Sequence, residues 1–136
     1  MSWPRGCTMC LLVFALLASV CRCDKSVLPL LGRVTLIKVT KDRKEIRANI
    51  SDEQSIRKII EFVEARNKGW EKPLFGTPLP TIKAEFYDGE DHQASFGIGK
   101  GAFETQRRDE FWSKTATPDE TGRFLDLLGI PREYLN

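Results

Sequence analysis

Apolar and polar residues alternate along residues 81–115, and this period of two is typical of β-strands that bury one face. Every second residue from Ile82 to Phe86 is apolar, and Asp88-Gly89 follows shortly after. This dipeptide predicts a turn, because glycine adopts positive φ without a steric cost. The whole stretch predicts three or four consecutive strands, within residues 81–87, 92–98, 102–106 and 111–115.

Two further strands are predicted nearer the N-terminus. Residues 33–40 alternate and are rich in β-branched side chains, which favour strands. Residues 46–50 form a shorter alternating run of the same kind. Basic and acidic side chains are interleaved between the two runs, and this mixture predicts a solvated turn.

A first amphipathic helix is predicted after Ser51. Ser51 and Gln54 have the spacing of a capping box, in which side chains satisfy the free backbone donors of the first turn. We expect the helix to end at Gly69 in the left-handed conformation. Its apolar face has the spacing of one helical stripe, and it consists of Ile56, Ile59, Ile60 and Val63.

A second helix is predicted after Thr117, with Pro118 at the first helical position and Glu120 completing a capping box. Gly129 is expected to end it. Its apolar face consists of Thr121, Phe124, Leu125 and Leu128.

This order of elements predicts an α+β fold, because consecutive strands pair in antiparallel sheets and helices cover one side of them. We expect a small antiparallel sheet of four to five strands with two helices packed on one face, preceded by an N-terminal signal segment. The predicted divisions are a signal peptide or lipoprotein leader at residues 1–23, a tether at 24–32 and a single domain at 33–136.

Residues 1–23 have the pattern of an export signal. A segment with one arginine precedes an almost unbroken apolar run at 10–20, which is too short to cross the ~30 Å of a bilayer as a helix. Residues 17–21 resemble the lipobox of bacterial lipoproteins, although valine stands where a smaller residue is usual. The resemblance implies a lipid on Cys21 and a membrane-anchored protein of the cell envelope. The alternative is ordinary cleavage after Cys23, which would give a secreted or periplasmic soluble protein.

Charge and cysteine content narrow the classes of partner and chemistry. The chain has 21 basic and 19 acidic side chains, and residues 1–23 hold two arginines and no acid, so residues 24–136 are formally neutral. Neutrality argues against a nucleic-acid partner, whose binding needs a basic surface. All four cysteines lie within residues 1–23, so the remainder has no disulfide framework, thiolate metal site or cysteine nucleophile.

An apolar loop supplies the candidate binding residues. Residues 70–80 contain three prolines, and loops of this length often carry function. Its apolar side chains either fold back over the sheet or form an exposed binding surface. Phe111 and Trp112 are adjacent in a predicted strand, so one of them must point away from the core face. The candidate binding residues are Trp70, Leu74, Phe75 and Trp112.

Two features that suggest chemistry have simpler structural explanations. The glycines at 97, 99 and 101 lack the spacing of a phosphate-binding loop and precede a strand, so they predict bends or bulges. His92, the only histidine, follows the acidic turn at 88–91, which is typical of a hairpin tip. We therefore predict no catalytic residue, metal site or cofactor.

The sequence favours an exported, membrane-anchored small binding or interaction domain without catalytic activity. Its expected partner is a protein or a small ligand. An alternative is an extracytoplasmic hydrolase or transferase that uses carboxylates with His92. A further alternative is a structural protein of the envelope.

Overall fold

The computed structural model describes residues 27–28, 31–74, 80–107 and 109–135. Within these ranges the chain forms six strands, two α-helices and a short 3₁₀ helix. In chain order they are β1 (Leu36–Lys41), β2 (Lys44–Ile50), α1 (Glu53–Glu64), β3 (Ile82–Asp88), β4 (Asp91–Gly99), β5 (Ala102–Arg107), β6 (Glu110–Thr115), α2 (Pro118–Leu128) and the 3₁₀ helix at Arg132–Leu135.

The six strands form one antiparallel sheet in the order β2-β1-β3-β4-β5-β6. The predicted α+β class and its small antiparallel sheet are confirmed, but the predicted count of four to five strands is too low. Both edge strands, β2 with 7 residues and β6 with 6, are full members of the sheet. β6 pairs with β5 over its full length, from Ala102 opposite Thr115 to Arg107 opposite Glu110.

Both helices pack on the same face of the sheet. Phe62 of α1 stacks on Phe124 of α2, with ring centroids 5.2 Å apart. Phe124 also meets Phe96 of β4 edge-on at 5.0 Å, and Phe62 meets Phe103 of β5 at 5.8 Å. All four rings are buried, and burial of aromatic side chains is a large source of folding free energy. This core leaves the opposite face of the sheet free of both helices.

The ends of α1 differ from the prediction. Asp52, and not Ser51, is the N-cap, and its carboxylate accepts a hydrogen bond from the Ser55 backbone N–H at 2.8 Å. A carboxylate is favoured there because it also interacts with the positive end of the helix dipole. The helix ends with Ala65 as its C-cap, before Gly69 is reached. Gly69 has φ of 79°, so it bends the connection that follows and does not end the helix.

The predicted ends of α2 are confirmed. Thr117 and Glu120 form the capping box, and Pro118 is the first helical residue. Gly129 is the C-cap, with φ of 66° in the left-handed region. The capping box, Pro118 and Gly129 act on residues close to them in the chain, and the tertiary contacts are compatible with them.

Residues before β1 contact the core. Leu28 is buried, and Val27 and Leu31 pack against the same cluster, all within the stretch predicted as a tether. The predicted leader at 1–23 lies outside the described residues. Among the residues that the structure describes, no helix has the length and apolar character needed to cross a membrane.

Candidate functional site

A row of residues crosses the face of the sheet opposite the helices, which we call the polar face. Residues paired across antiparallel strands project from the same side of a sheet, so the register identifies the members of the row. From β1 to β6 they are Thr40, Lys83, Gly97, Glu104 and Ser113. The row brings an amine, a carboxyl and two hydroxyls onto one surface.

Glu104 differs from the other members because its carboxyl is buried without a full set of partners. The residue is 7% exposed, and its Oε2 atom makes no hydrogen bond to any part of the chain that the structure describes. Burial raises the pKa of this carboxyl to about 7, since the charged form loses its hydration. Buried polar groups in folded proteins are nearly always hydrogen-bonded. An unpartnered carboxyl with a shifted pKa is therefore a candidate for contact with a ligand.

Two glycines of β4 make room beside this carboxyl. A Cβ atom at position 99 would lie 2.7 Å from Oε1 of Glu104. A Cβ atom at position 97 would lie 2.4 Å from Cβ of Pro80, so the proline ring covers that position. Because Gly97 lies between Lys83 and Glu104 in the row, the ring of Pro80 stands between the amine and the carboxyl.

The connection between α1 and β3 forms one side of this surface. Trp70 packs against Phe96 in the core, with ring centroids 5.9 Å apart. The next residue, Glu71, exchanges two backbone hydrogen bonds with Ser113, at 2.8 and 2.9 Å. Pro73 then borders the polar face. The chain therefore passes around the edge of β6, from the helix side of the sheet to the polar face.

These residues enclose a groove of about 510 Å³ on the polar face. A volume of this size is typical of sites for small molecules. Phe111, Pro73 and Pro80 contribute apolar surface to the groove. The polar groups around it include Thr40, Arg43, Lys83, Ser95, Glu104 and Ser113.

Two of the predicted binding residues lie in the loop before β3, in opposite environments. Trp70 is 8% exposed, and its Nε1 donates a hydrogen bond to the Arg66 carbonyl at 2.6 Å. Leu74 is 89% exposed. The predicted binding residue Phe75 and the predicted lipid-attachment residue Cys21 lie outside the described residues.

The two adjacent aromatic residues of β6 point to opposite faces, as expected for a strand. Trp112 is paired with Thr105 and is half-buried against the core, with the Lys72 ammonium 5.2 Å from its ring centroid. Trp112 also borders the groove from this position. Phe111 is paired with Gln106 and lies on the polar face. The aromatic ring on the face of the groove is therefore that of Phe111.

His92 lies at the far end of the β3–β4 hairpin. It is exposed and paired with Tyr87, and their ring centroids are 5.2 Å apart. His92 is not among the residues that line the groove. Within the described ranges, no group of three or more histidine, cysteine, aspartate or glutamate side chains is arranged to hold a metal ion.

The sequence did not single out Glu104, Lys83 or Ser113. Their positions in alternating strands predict only that they lie on the face away from the core. The signal in the sequence that could have indicated the groove is the pair of glycines on the strand next to Glu104. Glycines leave space on a sheet surface that side chains normally fill. The covering proline could not be located without the tertiary structure.

The fold and the groove define a small α+β domain with a candidate binding site on the uncovered face of its sheet. The chain matches no family model, no curated protein and no solved structure. Its function must therefore be inferred from the geometry of the groove.

Proposed function

We propose that the domain binds a small ligand in the polar-face groove and catalyses no reaction. The observation that carries this proposal is the buried carboxyl of Glu104, whose Oε2 has no hydrogen-bond partner among the described residues. A buried polar group left without a partner costs about 1–3 kcal/mol. A ligand that donates a hydrogen bond to the carboxyl, after a rotation of the side chain turns this covered atom towards the groove, would recover that free energy on binding.

The composition of the groove supports binding of a molecule with both apolar and polar parts. Phe111 and two prolines offer apolar contact surface, and hydroxyl groups lie beside them. Sites for small molecules commonly combine apolar walls with a few polar groups that fix the orientation of the ligand. The absence of His92 from the lining favours a binding role for Glu104 over a catalytic one.

The proposal is tested by two-dimensional ¹H–¹⁵N NMR of the purified full chain in detergent micelles, recorded with a library of small metabolites. A ligand of the groove should shift the backbone amides of Gly97, Glu104 and Ser113 together. Ser113→Leu should lower the affinity for these ligands at least tenfold, because the larger side chain occupies the groove beside Glu104.

Ser51→Leu is the matched control, because Ser51 is exposed and lies outside the groove. It should leave binding unchanged. Ligands that shift only residues elsewhere, or that bind Ser113→Leu as well as the unaltered chain, would contradict the proposal.

We also propose that the protein is exported and anchored to a membrane of the cell envelope through a lipid on Cys21. The support is the order of charged, apolar and small residues in the first 23 positions. Metabolic labelling with a fatty acid should mark the unaltered chain and not Cys21→Ser. Equal labelling of both would exclude Cys21 as the attachment point. Absence of label on a secreted chain would favour the alternative, ordinary cleavage after Cys23.

A further inference from the structure

The surroundings of Glu104 restrict the chemistry of the ligand. Ser113 is directly opposite Glu104 on β6, where paired Cα atoms lie ~5 Å apart. On the β4 side the neighbours are Gly97 and Gly99, which have no side chains to offer a hydrogen bond. The Glu104 and Ser113 side chains therefore lie next to each other on the polar face, and both line the groove.

The cations of the groove do not neutralise this carboxyl. Lys83 lies two strands away, ~10 Å between Cα atoms at the usual strand spacing. Its Nζ atom contacts Glu85 Oε1 at 2.8 Å, and the ring of Pro80 covers the intervening position. Arg43 lies in the β1–β2 turn, beyond the β1 end of the row. Among the described side chains, no cation neutralises the carboxyl, and it is left to accept one from outside the chain.

An organic cation fits these groups better than a metal ion does. A calcium ion takes six to eight oxygen ligands. The described carboxylates that line the groove are Glu104 on β5 and Asp42 in the β1–β2 turn, with β3 and β4 between them. An alkylammonium group has three donors and needs few acceptors. Its carbon chain can lie against apolar surface, which Phe111 and Pro80 provide.

We propose that the groove binds an alkylammonium group, from a free amine or a lysine side chain, through the Glu104 carboxylate. The Ser113 hydroxyl accepts a second hydrogen bond from the ammonium, and the carbon chain packs along Phe111. This inference rests on the proposed function and specifies the class of ligand for the same groove.

Binding of an ammonium should depend on pH, because Glu104 must be ionised. The amine has a pKa of about 10.4 and stays charged between pH 5 and 8. The polar-face residues of β4 beside Glu104 are Ser95, Gly97 and Gly99, which carry no charge, and its partner on β6 is a serine. Other charged groups around the groove are Lys83 and its partner Glu85, Arg43, Asp42 and, beyond Ser113, Glu71. Affinity should therefore rise about tenfold per pH unit up to the pKa of Glu104, and then level off.

The experiment titrates the full chain in non-ionic detergent with n-butylamine, 1-butanol and Nα-acetyl-lysine N-methylamide, at pH 5.5 and pH 8, followed by NMR. At pH 8 the amine should bind at least tenfold more tightly than the alcohol of the same shape, and most of this preference should vanish at pH 5.5. Tighter binding of the capped lysine than of butylamine identifies a lysine side chain as the source, and the reverse identifies a free amine.

Glu104→Gln keeps the shape of the side chain. It should lower the affinity for butylamine at least tenfold and leave the affinity for butanol unchanged. Glu61→Gln, on the exposed side of α1, makes the same chemical change far from the groove and should alter neither.

Equal binding of butylamine and butanol would overturn the ammonium proposal and leave the proposed function standing. An unaffected Glu104→Gln variant would overturn it as well. So would a measured Glu104 pKa below 4.5 in the free protein, because a cation within the chain would then already hold the carboxylate. If no amine binds at pH 8, the ammonium proposal fails, and the metabolite library decides the proposed function separately.

Discussion

Glu104 and Gly99 are fitted to each other across β4 and β5, because the carboxyl occupies the space where a side chain at position 99 would begin. A Cβ atom there would lie 2.7 Å from Oε1 and 3.2 Å from the carboxyl carbon. The burial of the carboxyl, and with it the raised pKa, therefore depends on a residue of the neighbouring strand that has no side chain.

Gly99→Ala should move the carboxyl of Glu104 with little loss of stability. The obstructing atoms are the far end of a flexible side chain, and Gly99 does not have positive φ, so the backbone accepts alanine. The displaced carboxyl gains contact with water, and its pKa should fall from about 7 towards the ordinary value of 4.5. An NMR titration of the Glu104 side chain measures this shift, and an unchanged pKa would contradict the fit described above.

Gly97→Ala, in contrast to Gly99→Ala, should clearly lower the stability of the fold. Its Cβ would meet Cβ and Cγ of Pro80 at 2.4 and 2.9 Å and the Ile82 carbonyl oxygen at 3.2 Å. A proline ring and a backbone carbonyl cannot rotate away, so we expect a loss of about 1–3 kcal/mol in the free energy of unfolding, measured in urea.

The control for Gly97→Ala is Gly32→Ala. At position 32 no atom of the described ranges lies within 4 Å of the added carbon, and φ is not positive. This substitution should change the free energy of unfolding by less than about 0.5 kcal/mol. Similar losses in the two variants would mean that the Pro80 contact does not constrain position 97.

Glu104 should make the unaltered chain less stable as the pH rises from about 4.5 to about 7. The carboxyl has the higher pKa in the folded state, so the folded chain binds more protons than the unfolded chain between these values. The stability that Glu104 contributes is therefore fully present below pH 4.5 and is lost as the pH passes through 7. Since each pKa unit corresponds to about 1.4 kcal/mol, the change is at most about 3–4 kcal/mol.

The pH effect is isolated by subtracting the curve of Glu104→Gln from that of the unaltered chain. Glu120 and Asp126 have lowered pKa values, caused chiefly by hydrogen bonds from the Thr117 backbone and the Arg132 side chain respectively. These two carboxyls contribute stability that is lost as the pH falls, in a lower pH range than that of Glu104. Both proteins contain them, so their contributions cancel when the two curves are subtracted. Parallel unfolding curves for the two proteins across pH 4.5–7 would contradict the raised pKa.

The elements that could be predicted from the sequence are those with local signals. Thr117 and Glu120 are three residues apart, and their capping box needs nothing from the rest of the chain. The β3–β4 hairpin was likewise indicated by alternation and by Asp88-Gly89. The sequence places the N-cap of α1 one residue early, at Ser51, because Ser51 and Asp52 are both good capping residues and only the structure distinguishes them.

The groove could not be predicted, because its members are distant in sequence. Alternation placed Glu104 away from the core, where a carboxylate is ordinarily hydrated. Its burial depends on Gly99 of the neighbouring strand, where the missing side chain leaves the space that the carboxyl fills, and this contact has no period in the sequence. Similarly, the sequence required one aromatic of the Phe111-Trp112 pair to leave the core face. The pairing of Thr105 with Trp112 determines that it is Phe111.

Trp70→Ala should destabilise the fold strongly, whereas Leu74→Ala should not. Trp70 is buried against Phe96, and its Nε1 hydrogen-bonds to the Arg66 carbonyl, so alanine leaves a cavity and an unsatisfied acceptor. We expect a loss of about 3–5 kcal/mol in the free energy of unfolding. Leu74 is 89% exposed, so its truncation should cost less than about 0.5 kcal/mol. Urea unfolding of both variants gives the comparison. A small loss for Trp70→Ala would mean that the indole does not anchor the connection to the core, and a direct role for Trp70 in ligand binding would then gain support.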